Sequence, residues 1–132
     1  MLDLRCRMSQ ILVVSSDTVS VAAMLSVLDH AGHQARCAST FEDATRLLAQ
    51  GSPDFVIADG HLGAYNGLHI IMRARAAHPD TGAIVTTSKK DRGLEADARS
   101  LNVECMVKPK NPAEWLEPIS KWAARHGNQS QD

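Results

Sequence analysis

Four places along the chain set reactive side chains directly behind an apolar run. Ser15, Ser16 and Asp17 follow "ILVV", and Asp59, Gly60 and His61 follow "FVIA". Thr87 and Ser88 close "AIVTTS", and Lys108-Pro109 follows "ECMV". Brought together, one carboxylate, several hydroxyls and an ammonium can neutralise charge and hydrogen-bond a polar group. Which chemistry results depends on whether the first cluster is acidic, hydroxylic or glycine-rich, and it is mostly hydroxylic. Zinc chemistry is not indicated. Cys6, Cys37 and Cys105 are widely spaced without a C-x-x-C, the six histidines are scattered, and the thiols read as reduced cysteines of a cytoplasmic protein.

The elements that must position these residues alternate. "ILVV" (11 to 14) is a short buried strand, and from Thr18 to His30 the apolar residues Val21, Met24, Leu25 and Leu28 recur at helical spacing until Ala31-Gly32. "HQARCA" (33 to 38) is a weaker strand, followed by a helix opened by Ser39 and Glu42 as a capping box and closed by Gly51. "DFVIAD" (54 to 59) is a strong strand, and "GLHIIMRARAA" (67 to 77) a helix with Leu68, Ile71, Met72 and Ala76 on one face. "AIVTTS" (83 to 88), a polar helix from Asp91 to Leu101, and the fifth strand "ECMV" (104 to 107) complete the pattern. Asn111-Pro112 caps a last helix carrying Trp115, Ile119 and Trp122, in which Pro118 is expected to cause a kink. The two tryptophans, seven residues apart, share one face and read as core.

Five strands alternating with five helices imply right-handed βαβ units, hence an α/β fold: a doubly wound, five-stranded parallel sheet between two helical layers. Ligand sites in such sheets lie beyond the carboxyl ends of the strands, where the reactive clusters fall. The 132 residues make one domain, placed at 11–126 between an N-terminal extension (1–10) and a tail, "GNQSQD" (127–132), expected to be disordered. A formal net charge of -1 argues against a nucleic-acid surface. No apolar run approaches the length of a membrane span, and no secretion signal opens the chain.

The chain resembles the receiver domains of two-component response regulators, from Ile11 to about Arg125. The most specific segment is "PDFVIADGHLGAYNGLHII" (53 to 71), in which Pro53-Asp54, Asp59, Leu62 and Gly67-Leu68 fall in the family's order. The resemblance implies the (βα)5 flavodoxin-like receiver fold, with Asp59 as phosphoacceptor. It implies Thr87 and Lys108 as phosphoryl-binding groups, with the small Ser88 leaving access, and a Mg²⁺ ion held in part by Asp59 and the His61 carbonyl. Phosphoryl transfer asks a protein for positioning and charge neutralisation more than covalent help. The implied partner is a histidine kinase or another signalling protein. The fourth helix, fifth strand and fifth helix would be the surface for a homodimer, although "SKKDRGLEADARS" (88 to 100) itself reads as a solvated face.

The departures are as informative as the matches. The family's acidic pair falls on Ser15 and Ser16; Asp17, one position late, is a weak metal-ligand candidate that could swing inward, but it reads better as a helix cap. Opposite unit charges about 4 Å apart attract by about 4 kcal/mol at an effective dielectric near 20, so exchanging two carboxylates for hydroxyls weakens Mg²⁺ binding severely. Lys108 is then expected to pair directly with Asp59. Cys105 stands where the family carries a switching aromatic residue, and Gly63 replaces the usual proline, which is expected to loosen the loop behind Asp59. The expectation is a receiver that is no enzyme and signals mainly by protein binding, with Mg²⁺ weakened. The alternative is a working phosphoaspartate switch. A flavodoxin-like cofactor binder using the "SSDTVS" hydroxyls is a distant third, because Asp17 would repel phosphate and the loop lacks glycine. No DNA-binding or catalytic segment follows Arg125, so the chain is either a stand-alone receiver or part of a longer regulator.

Overall fold

The structure, a computed structural model, describes residues 10–130. Its core is a parallel sheet in the order β2-β1-β3-β6-β7, built from β1 (Gln10–Val14), β2 (Gln34–Ala38), β3 (Phe55–Asp59), β6 (Gly82–Thr87) and β7 (Glu104–Val107). The first strand begins at Gln10, one residue inside the expected extension, whose remainder lies outside the described residues. Helices α1 (Thr18–His30), α2 (Phe41–Gln50), α3 (Gly67–Ala77), α4 (Arg92–Ser100) and α5 (Leu116–Ser130) connect and flank the strands. The expected doubly wound α/β architecture is the one observed. A two-stranded hairpin, β4 (His61–Leu62) with β5 (Tyr65–Asn66), interrupts the alternation just after β3. Only the first of its two turn residues, Gly63, has a positive φ (62°), the pattern of a type II′ turn, so the glycine that replaces proline makes a tight turn rather than a loose loop.

Burial follows from the two-sided sheet. Ile11, Val13, Phe55, Ile57 and Ile84 pack on one side against Val21, Met24 and Leu28 of α1 and against Trp115 and Ile119. Leu12, Val14, Val56, Ala58 and Val85 pack on the other against α3 and α4. Strands buried on both faces need apolar residues at every position, which is why these runs do not alternate with polar residues. Of the two tryptophans, Trp115 is buried and Trp122 is half-buried, meeting Phe55 edge to face at 5.4 Å.

Several local expectations are corrected. The cap of α2 is Thr40, whose hydroxyl accepts from Asp43 N, rather than Ser39; "STFED" contains two overlapping cap patterns and the helix starts at the later one. Met72 is exposed, because the buried stripe of α3 runs through Leu68, Ile71 and Ala74. Asn111 does cap, but what it caps is a 3-10 turn (Pro112–Trp115), and α5 starts at Leu116. Pro118 is therefore the third residue of α5, where its missing N–H has no intrahelical partner to lose, and it does not interrupt the helix. α5 runs on through Ser130, so residues 127–130, expected to be disordered, extend it: one glycine is too weak a breaker to end a helix.

Candidate functional site

Side-chain alternation builds the site. Val13, Ile57 and Ile84 all line the sheet face toward α1 and α5, with Met106 packed against them. Two residues further along each strand stand Ser15, Asp59, Thr86 and Lys108, and a strand's period of two points them to that same side. Pairing sets their depth: Asp59 lies opposite Thr86 in the β3–β6 register, and Lys108 N donates to the Thr87 carbonyl just past β7. The carboxyl end of the sheet thus gathers four polar side chains over its central strand.

They meet at one carboxylate. Ser15 Oγ donates to Asp59 Oδ2 at 2.7 Å, and Thr86 Oγ1 donates to Oδ1 at 2.7 Å. Lys108 Nζ straddles both oxygens, 3.2 Å from Oδ1 and 3.3 Å from Oδ2. The Asp59 and Lys108 side chains are only 13% and 20% exposed, so each charge needs the other: a half-buried ion without a partner is costly. Behind the carboxylate, α3 presses close. A Cβ on Gly67 would lie 2.0 Å from the Asp59 carbonyl oxygen, so only glycine lets the helix begin there.

The remaining expected site residues take other places. Asp17 caps α1, accepting from Ser20 N at 3.2 Å and from Ser20 Oγ at 2.8 Å. Those bonds hold its carboxyl below the ordinary range, and the nearby Lys108 ammonium, 3.9 Å away, adds to the effect. Ser16 is exposed. Thr87, expected at the acceptor, turns away and donates to the Lys89 carbonyl at 2.7 Å; the hydroxyl that reaches Asp59 belongs to Thr86. Ser88 is exposed and lies past the strand end, which leaves Thr87 as the residue beside the reaching hydroxyl. His61 lies in the hairpin opposite Asn66, its exposed imidazole 3.3 Å from Asp91. Cys105 is half-buried against the α4 side of the core, and burial pushes its thiol up, so it acts as a small apolar side chain.

As a metal site this donor set is poor. Both oxygens of Asp59 already accept from the chain's own donors, and the nearby carboxylate of Asp17 is engaged with its helix. Among the described residues no group of three or more His, Cys, Asp or Glu could hold a metal ion. Mg²⁺ favours a site with one or two free carboxylates and space for its waters, which this arrangement does not supply. Among the described residues no helix is long and apolar enough to cross a membrane.

Solved structures share this architecture. A receiver domain protein from Methanospirillum hungatei is 19% identical, with a TM-score of 0.83 over 92% of this chain and 98% of its own. The receiver domain of an HD domain-containing protein from Pseudomonas fluorescens is 24% identical, with a TM-score of 0.81 over 95% of this chain and 93% of its own. A response regulator from Burkholderia pseudomallei, solved with a phosphorylated aspartic acid, a calcium ion and citrate, is 22% identical, with a TM-score of 0.76 over 92% of this chain and 72% of its own. At such identities the likeness speaks for the fold. No curated protein sequence matches the chain. The family model of the response regulator receiver domain, however, matches residues 11–120, and the chain therefore belongs to that family, the receiver domains of two-component signal transduction.

Proposed function

We propose that this receiver signals mainly through a protein partner, with Asp59 held in a metal-independent network and little Mg²⁺-dependent phosphorylation. The observation that carries the reading is the saturated carboxylate: Ser15, Thr86 and Lys108 together satisfy both oxygens of Asp59 without a cation from solution. Lys108 supplies the neutralising charge, and Ser15 fills an acidic position with a neutral donor. The partner is a histidine kinase or another signalling protein, and the face of α4, β7 and α5 is the surface offered for self-association. Asp59 and Lys108 serve the chain's own signalling state, and no turnover of a separate substrate is part of the reading.

The second reading, a working phosphoaspartate switch, is favoured by the presence of Thr86 and Lys108 at the carboxylate, where a phosphoryl group's oxygens would need a hydroxyl and an ammonium. Amide NMR titration with Mg²⁺ and then beryllofluoride separates the two. The expected result is no saturable shift at Asp59, Thr86 or Lys108 at millimolar Mg²⁺, with a response gained by the Ser15→Asp/Ser16→Asp variant. Saturable shifts in the unmodified chain that vanish in Asp59→Asn would establish the switch and reject our reading.

A further inference from the structure

The first turn of α4 is fastened to the backbone that follows Asp59. Gly60, the next residue, is buried; its N–H donates to the Thr86 carbonyl at 2.7 Å, and its carbonyl accepts from Gly67 N at 3.2 Å. The space a side chain would fill there is taken. A Cβ at position 60 would stand 2.5 Å from Leu94 Cδ2 and 3.3 Å from the Thr86 carbonyl oxygen. Leu94, 4% exposed, therefore rests directly on the peptide adjoining the acceptor.

A second tie lies one residue further along. His61 Nε2 is 3.3 Å from Asp91 Oδ2, while Oδ1 of the same carboxylate accepts from Leu94 N at 3.0 Å. Asp91 thus caps α4 and joins that cap to the hairpin. The buried residues of α4 are Leu94 and Ala98, and Leu94 together with the Asp91 cap ties the start of the helix to consecutive residues after Asp59. Cys105 packs behind the same helix but has no ring to move when Thr86 moves.

We infer that a change at Asp59 reaches α4 through Gly60–Leu94 and His61–Asp91, a route that stands in for the missing aromatic residue on β7. Leu94 and His61 are positioning residues on this route: neither touches the carboxylate, and both hold the helix whose surface a partner would meet. A packed contact such as Gly60–Leu94 shifts between discrete arrangements instead of deforming smoothly, which is how a small movement at one site becomes a displaced helix at another. The inference rests on Asp59 being the functional centre, as the proposed function has it, but not on any metal or phosphoryl group.

Asp59→Asn supplies the perturbation, read by amide NMR on the full chain. In the otherwise unmodified protein it should shift the Leu94 and Ala98 amides. In a His61→Ala/Leu94→Ala background those shifts should lose most of their size, and in a Cys105→Ala background they should persist. Absence of an α4 response in the unmodified protein overturns the inference, as does an undiminished response in the double background or its loss with Cys105→Ala. If the double variant fails to melt cooperatively, Gly60→Ala takes its place, since the added methyl must displace Leu94; an undiminished response there is equally fatal. A positive beryllofluoride titration would reject the proposed function and leave this route standing.

Discussion

The two walls of the Asp59 site reach the same carboxylate at the same distance and do different things. From β1, Ser15 Oγ donates at 2.7 Å to one oxygen; from β6, Thr86 Oγ1 donates at 2.7 Å to the other. The β6–β7 wall also delivers Lys108, whereas the β1 wall contributes the single Ser15 hydroxyl, with Asp17 turned back on its own helix. The difference teaches that two walls can match in hydrogen-bond geometry and differ in charge. Around Asp59 the result is an ion pair with Lys108 and a hydroxyl on either side.

Breaking the charged wall should have the largest effect. Lys108→Met leaves a carboxylate that is 13% exposed without its cation, and should cost about 2–3 kcal/mol in urea denaturation. Asp59→Asn added to Lys108→Met should recover part of that loss; additive losses would mean the two residues are not coupled. The hydroxyls sharpen the contrast on a smaller scale. Thr86→Val keeps the shape at a residue 2% exposed and should cost about 2 kcal/mol, because Oδ1 loses a donor that water cannot replace. Ser15→Ala should cost about 1 kcal/mol, since exposed Ser16 and Asp17 admit water to Oδ2. Equal losses by thermal melting would remove the distinction between the walls.

The smallest expected effect lies away from the site and serves as its control. The His33 Nδ1 atom is buried without a hydrogen-bond partner, and burial holds the imidazole below its ordinary 6.5. The unfolded chain therefore binds the proton more readily. Stability should decline as pH falls below 6.5, levelling off only once the folded-state group is also protonated. A chain carrying His33→Leu should lack that part of the slope while keeping the Asp59 network intact. An unchanged pH profile in the variant would show that His33 is not its source.

Much of this site is readable from the chain because apolar runs ended by polar residues mark the carboxyl edge of a parallel sheet. Asp59 and Lys108 stand alone at their strand ends, so nothing competes with them. Thr86 and Thr87 are different: adjacent threonines on a strand point to opposite faces, and a reading that is one residue out selects the wrong hydroxyl. The signal that resolves them is the alternation through Ile84 and Val85, which places Thr86 on the face of Val13 and Ile57. The hairpin after β3 leaves little trace in the sequence because its strands are two residues long and its Gly-Ala turn is a faint signature. Nothing local in the sequence reveals that Leu94 covers Gly60 from 34 residues away.

The strand order has a consequence for the sequence of events during synthesis. β1 lies between β2 and β3, so a chain growing from its amino end can close that three-stranded unit before β6 exists. In such a unit Asp59 would stand on an open sheet edge, with Ser15 the one donor of the finished site already in the chain beside it. Thr86 arrives with the fourth strand of the sheet and Lys108 only after the fifth. The neutralised carboxylate is thus a seal applied last, and a ribosome stalled before residue 108 would hold a chain whose most costly charge is still unanswered.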